Sequence, residues 1–132
     1  MIQPIIEKSY LVELNLGTVA VQKQINFNFI PQLEGTRIYG IQSFSQNELG
    51  VSPNGSTIVT VAGLGSLTVT FVVGDIQEVF LLPVADLNSP LIYGFTRMFN
   101  NKRLNLTKSF VTIQSTANIS SNQVICFNFI YR

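Results

Sequence analysis

Apolar residues recur at every second position through most of this chain, and the runs are broken by Gly, Pro and Asn. Tyr10, Val12, Leu14 and Leu16 share one parity against Leu11, Glu13 and Asn15, until Gly17-Thr18 interrupts them. Val19, Val21, Ile25, Phe27 and Phe29 follow against Gln22, Gln24, Asn26 and Asn28; near the end, Ile125, Phe127, Phe129 and Tyr131 alternate with Cys126, Asn128 and Ile130. Strand side chains point alternately to two faces, so this pattern buries one face of each segment and does not suit a helix, whose apolar stripe recurs at three and four. Only Lys23 breaks the apolar parity of its run, and it reads as a rim residue whose stem lies along the surface.

Further runs fill the middle of the chain. Pro31 ends the second strand, Arg37 to Ser45 makes a third after the Glu34-Gly35 turn, and Gln46 to Ser56 reads as an exposed loop closing in the Asn54-Gly55 turn. Thr57 to Ala62 and Leu67 to Val73, joined through Gly63-Leu64-Gly65-Ser66, predict a hairpin rich in β-branched residues. Glu78 to Leu82 is a strand that Pro83 confines to an edge or an end. Arg103 to Thr107, Ser109 to Ser115 and Gln123 to Tyr131 complete the set. One stretch departs from period two: Leu91, Ile92, Phe95, Met98 and Phe99 fall at helical spacing behind Ser89 and Pro90, predicting a short bridging helix, with an extended Leu91 to Phe95 strand as the alternative.

No linker, repeat or charge block divides the 132 residues, which suffice for one core. About eight short antiparallel strands with at most one short helix define an all-β, two-sheet sandwich. The strand count suits a single jelly roll over residues 1–132, with 1–8 as a possible N-terminal arm. The absence of a Cys…Trp…Cys pattern disfavours an immunoglobulin-like topology.

The chemistry is sparse. Histidine and tryptophan are absent and Cys126 is the single cysteine, which removes Ser-His-Asp and Cys-His nucleophiles, histidine metal sites and any internal disulfide. Neither Glu7 with Glu13 nor Asp75 with Glu78 sits in a glycosidase-like motif. Gly63-Leu64-Gly65 lacks the lysine and following helix of a phosphate loop. The expectation is therefore a protein that is not an enzyme and carries no metal or cofactor. Cys126 reads as a small buried hydrophobe.

Charge is both scarce and unevenly placed. Only 11% of residues are charged, against about 25% in an ordinary soluble domain, and polarity comes instead from 42 Ser, Thr, Asn and Gln residues. Seven acids, all before residue 87, face three bases there for a balance of −4; the remainder carries five bases and no acid, +5. Such asymmetry suits identical subunits packed head to tail. Arg97, Lys102, Arg103 and Lys108, flanked by Phe95, Phe99 and Phe110, are candidate interface or anion contacts, although a net charge of +1 disfavours nucleic acid as a partner. Tyr10, Tyr39, Tyr93 and Tyr131 are candidates for stacking a ligand such as a sugar.

With that strand pattern, the uncharged amide- and hydroxyl-rich surface and the final aromatic strand Val124 to Tyr131, the chain resembles the small single jelly-roll capsid proteins of viruses, especially the penton or minor capsid proteins of phages with internal membranes. The resemblance implies a structural subunit of a virion, packed against copies of itself and other capsid proteins at a symmetric position. No basic and apolar leader opens the sequence, so synthesis in the host cytoplasm without a signal peptide is expected. Contact with a membrane and with a host receptor stays open. The alternatives are a carbohydrate- or receptor-binding sandwich module and, behind it, a binder of single-stranded nucleic acid.

Overall fold

The computed structural model describes residues 8–34, 36–47, 49–74, 78–88 and 103–131, with the backbone alone at 39 and 78–80. Seven strands lie among them: β1 Lys8–Asn15, β2 Gln24–Asn26, β3 Ile38–Phe44, β4 Leu67–Val73, β5 Glu78–Pro83, β6 Leu104–Ile113 and β7 Val124–Tyr131. They form an antiparallel three-stranded sheet in the order β1-β7-β3 and an antiparallel four-stranded sheet in the order β2-β6-β4-β5. The pairing is nested, β1 with β7, β2 with β6 and β4 with β5, and the chain passes between the sheets as it runs in and out. That nesting is the order of a jelly roll. The scheme reserves one more position between β5 and β6 in sequence, and residues 89–102 lie outside those described.

The inward parity of each strand fills the space between the sheets. Val12 and Leu14 of β1, Val69, Phe71 and Val73 of β4, Leu106, Val111 and Ile113 of β6, and Ile125, Phe127 and Phe129 of β7 are buried in one cluster. At its centre Phe27 and Phe71 from the four-stranded side meet Phe127 and Phe129 from the other, every pair of rings 5.6 to 6.3 Å apart in stacked, tilted or edge-on arrangements. Those separations are favourable for aromatic pairs. Truncating one such ring to alanine removes about 3–5 kcal/mol.

Several expected boundaries change for identifiable reasons. The run from Val19 to Phe29 is a strand only over Gln24–Asn26, because a turn precedes it in which Gln22 takes a positive φ of 68°. Lys23 bends back there, its Nζ donating to the carbonyls of Leu16 at 3.0 Å and Thr18 at 2.8 Å. Val21 and Phe29 consequently stand 58% and 59% exposed. The two strands expected at Arg103 to Thr107 and Ser109 to Ser115 are one strand carrying a bulge: Val72 faces Asn105 whereas Thr70 faces Phe110, so three extra residues of β6 loop out. Ser109 stitches the bulge, its hydroxyl accepting from Val72 N at 3.1 Å and donating to Asn105 O at 2.9 Å. Lys8 belongs to β1 and not to an arm; residues 1–7 and the expected helix at Leu91 to Phe99 lie outside the described residues.

The expected hairpin of Thr57 to Ala62 with Leu67 to Val73 does not form. Ile58 bridges Val124 in parallel, Val59 N–H donates to Val124 O at 3.0 Å, and Thr60 accepts from Gly63 N at 3.1 Å to cap a single helical turn, α1 Val61–Leu64. A second single turn, α2 Val84–Leu87, follows β5 directly and buries Val84 and Leu87. Gly63 makes the α1 turn possible: a Cβ there would lie 2.7 Å from Asn118 O and 2.6 Å from Val59 Cγ1.

Two substitutions probe these devices in urea unfolding. Gly63→Ala forces the 114–123 loop off α1 and lowers stability by about 1–3 kcal/mol; an unchanged midpoint contradicts the close approach. Ser109→Ala strands a buried N–H and C=O, at a cost of about 1–3 kcal/mol, and a neutral outcome means the bulge does not depend on that hydroxyl.

Candidate interaction site

The sequence-derived candidates separate in space. Arg103 stands exposed at the foot of β6, its backbone bridging Arg37, while Lys108 stands exposed in the bulge farther along the same strand. Arg97 and Lys102 lie outside the described residues. Arg37 was not singled out from the sequence, since only the fold brings it beside Arg103. Lys8 faces Tyr131 across β1 and β7, and Tyr131 faces Ile38, so Lys8, Arg37 and Arg103 share one end of the sandwich. The acidic and basic halves of the sequence do not map onto two ends of the sandwich, since Glu78 begins β5 at that same end, opposite Val73 and next but one to Leu104. The loops 15–23, 60–66 and 114–123 meet at the opposite end through Gln22 N to Ile113 O, Asn122 N to Gly17 O and Gln114 N to Ser66 O. Lys23 is their one ionisable residue, and its ammonium is bound to carbonyls. Val21 and Val61 stand exposed on those loops.

Tyr10 and Tyr131 lie on the inward parity of β1 and β7 and are half-buried against the core. They are fringe core residues, with Tyr10 also reaching a groove described below. The backbone of Tyr39 belongs to β3, and Tyr93 lies outside the described residues.

The outer faces of the two sheets differ. On the three-stranded sheet, Val124 and Cys126 form a second buried cluster with Ile58, flanked by Leu11, Phe44 and Leu49, so the 45–60 segment covers that sheet's own outside. The loop expected at Gln46 to Ser56 is therefore exposed only in part, with Ser52 buried. Cys126 is wholly buried here. Burial and, secondarily, the negative charge of Glu13 opposite it push its thiol up to about 11, far from the depressed values of reactive cysteines.

No segment among the described residues is laid over the four-stranded sheet in that way. Its outer face carries Gln24, Thr112, Thr68 and Pro83 in one cross-strand row and Asn26, Phe110, Thr70 and Leu81 in the next. Neither row contains an ionisable side chain; Leu81 at the flank is 64% exposed, whereas Thr70 and Thr112 at the centre are buried.

A groove of about 260 Å³ runs along the outer edge of β1. Tyr10 to Leu14 form its floor, Asn28 and Ile30 one wall, and Pro53 and Asn54 the other. Asn54 donates its side-chain amide to Glu13 Oε2, while Glu13 Oε1 is shut off from water with no partner. Among the described residues no group of three or more acidic or thiol side chains is arranged to hold a metal, and no helix is long and apolar enough to cross a membrane.

Compared with family models, curated proteins and solved structures, the chain finds no match.

The raised thiol pKa carries a pH signature. The folded state holds the Cys126 proton to about 11 whereas the ordinary value is 9.0, so stability falls as pH rises between those values. Cys126→Ala should flatten that decline in urea titrations. A thiol reagent should leave the native protein unlabelled at neutral pH and label it stoichiometrically once unfolded; rapid native labelling contradicts the burial.

Proposed function

We propose that this chain is a structural subunit of a symmetric protein shell, a small jelly-roll capsid protein of the penton or minor capsid type, joined to copies of itself and to other shell proteins in a virion. The observation that carries the reading is the pair of charge-free rows across the outer face of the four-stranded sheet. Interface cores are depleted in charge, because burying an unpaired ion costs more than any contact it makes returns. A surface of Thr, Asn, Gln, Phe, Leu and Pro can be pressed against a neighbour without that cost. The covered outside of the three-stranded sheet and the cations gathered at one end leave this face, with the uncharged loop end beside it, as the ground best suited to contact.

The other readings draw less support. A sugar-binding module needs flat aromatic faces turned outward, and the two described tyrosine rings are half-buried against the core. A nucleic-acid binder needs a continuous basic track, and Arg103 and Lys108 stand at separate points of β6 with Leu104, Asn105, Leu106 and Thr107 between them.

Sedimentation velocity across a hundredfold range of concentration tests the proposal. The protein should associate as concentration rises, and Leu81→Lys, which plants a charge at an exposed position of the outer face, should weaken association by about tenfold or more, since a buried unpaired ion costs several kcal/mol. A species that stays monomeric throughout, alone and with the other proteins of its shell, contradicts it. So does an association that Leu81→Lys leaves untouched.

A further inference from the structure

The groove beside β1 has a form the shell proposal does not use. Among the described residues β1 is an edge strand, paired with β7 on one side only. Leu16 N–H donates to Gln123 O on the β7 side at 2.9 Å. Backbone groups of an antiparallel strand alternate in direction, so Leu14, Val12 and Tyr10 also point to β7, and the N–H and C=O of Leu11 and Glu13 point outward, into the groove. None of these outward groups has a hydrogen-bond partner among the described residues. The floor is thus an open ladder position two residues long, walled by Asn28 and Ile30 toward the core side and by Pro53 and Asn54 toward the outside.

The electrostatics of the groove narrow its occupant. Glu13 takes part in no ion pair among the described residues, its Oε1 has no donor, and the Asn54 amide on Oε2 is its single partner. A carboxylate in a partly closed channel with one neutral donor is short of positive charge. Residues directly opposite each other across a strand pair share a face, with Cβ atoms about 4.5–5.5 Å apart. A residue paired with Glu13 would therefore lie on its side of the sheet, beside the carboxylate, whose enclosed Oε1 is presented to it when the side chain turns toward the groove. The residues flanking it would turn toward Tyr10, Leu14 and Ile30, an apolar setting.

We propose that the β1 edge groove binds an extended segment of a partner protein by strand addition, and that the segment carries a lysine or arginine between two apolar residues, the cation paired with Glu13. Main-chain hydrogen bonds to Leu11 and Glu13 supply the affinity, and the alternating side chains supply the selection. No described segment of this chain has the apolar-cation-apolar pattern, so the occupant belongs to another protein. The inference is independent of the shell assignment, since the groove and its acid do not involve the four-stranded face.

Amide-resolved NMR titration of the full chain with a capped pentapeptide, Thr-Val-Lys-Val-Thr, tests it. The lysine peptide should give saturable shifts at the amides of Leu11, Glu13 and Asn54. The same peptide with glutamate at its centre should bind at least about fivefold more weakly, as should the lysine peptide toward Glu13→Gln, because each loses a charge-assisted contact. Glu13→Gln preserves the side chain's shape and its bond from Asn54, so a folded spectrum is expected. N-methylation of the central residue, which removes a main-chain donor, should also weaken binding. No saturable shift up to millimolar peptide overturns the proposal, as do equal affinities for the lysine and glutamate peptides. A dimer held through this edge, dissolved by Glu13→Gln and indifferent to peptide, overturns it in favour of a second copy as occupant.

Discussion

The contact between Phe27 and Phe71 on one sheet and Phe127 and Phe129 on the other holds the two layers at their working distance. The four rings come from three parts of the nested order, Phe27 just after β2, Phe71 within β4 and the remaining pair within β7. Their mutual packing fixes how the outermost ribbon, β1 with β7, lies over the inner ones. With the rings in place, the inward parity of every strand is committed to the core and the outward parity to whatever lies beyond. A slip of one residue in any of these strands would turn the rings outward and hydroxyls inward, which is why the register is well determined.

The two outward faces then meet different fates within one chain. The three-stranded sheet is too narrow to shield its outer apolar residues, and the 45–60 segment folds back to bury Ile58 against Val124 and Cys126. No described segment is laid over the four-stranded sheet, whose two cross-strand rows carry hydroxyl, amide and apolar side chains and no ion, with Gln24, Asn26, Leu81 and Pro83 exposed at the flanks and Thr70 and Thr112 buried between them. A protein meant to stay dispersed would ordinarily salt such a face with lysine and glutamate to resist association. Here Lys8, Arg37 and Arg103 gather at one end instead, where they do not interfere with the face.

Much of the fold was legible in the sequence. Alternation located the inward residues of β1 and β7, β4 and β6 were recognised as strand segments, and Pro83 marked the end of β5 as expected. The failures cluster where a local contact overrules periodicity. Val19 and Val21 carry strand parity, yet Lys23 has two carbonyls to satisfy and draws the chain into a turn. Thr57 to Ala62 looks like a strand because its residues are β-branched, but Thr60 caps a helical turn that the missing side chain of Gly63 allows to rest on Asn118. The break at Lys108 was visible as a gap between two strands and is a bulge tied by Ser109. Of the candidate interface or anion-contacting residues, Arg103 and Lys108 stand exposed on β6, and the neighbour that Arg103 acquires is Arg37, sixty-six positions away in sequence. The groove was not legible at all, because it is made by the backbone edge of β1 and walls from two unrelated segments.

The central claim is that the charge-free face of the four-stranded sheet is where this protein meets its neighbours. An electron-microscopic reconstruction of the assembled particle, fine enough to place the strands, tests it most directly. The account predicts that Leu81, Phe110 and Asn26 lie within a subunit contact in the shell. A reconstruction in which that face looks onto open solvent in every copy, with contacts made through the Lys8, Arg37 and Arg103 end alone, would contradict it.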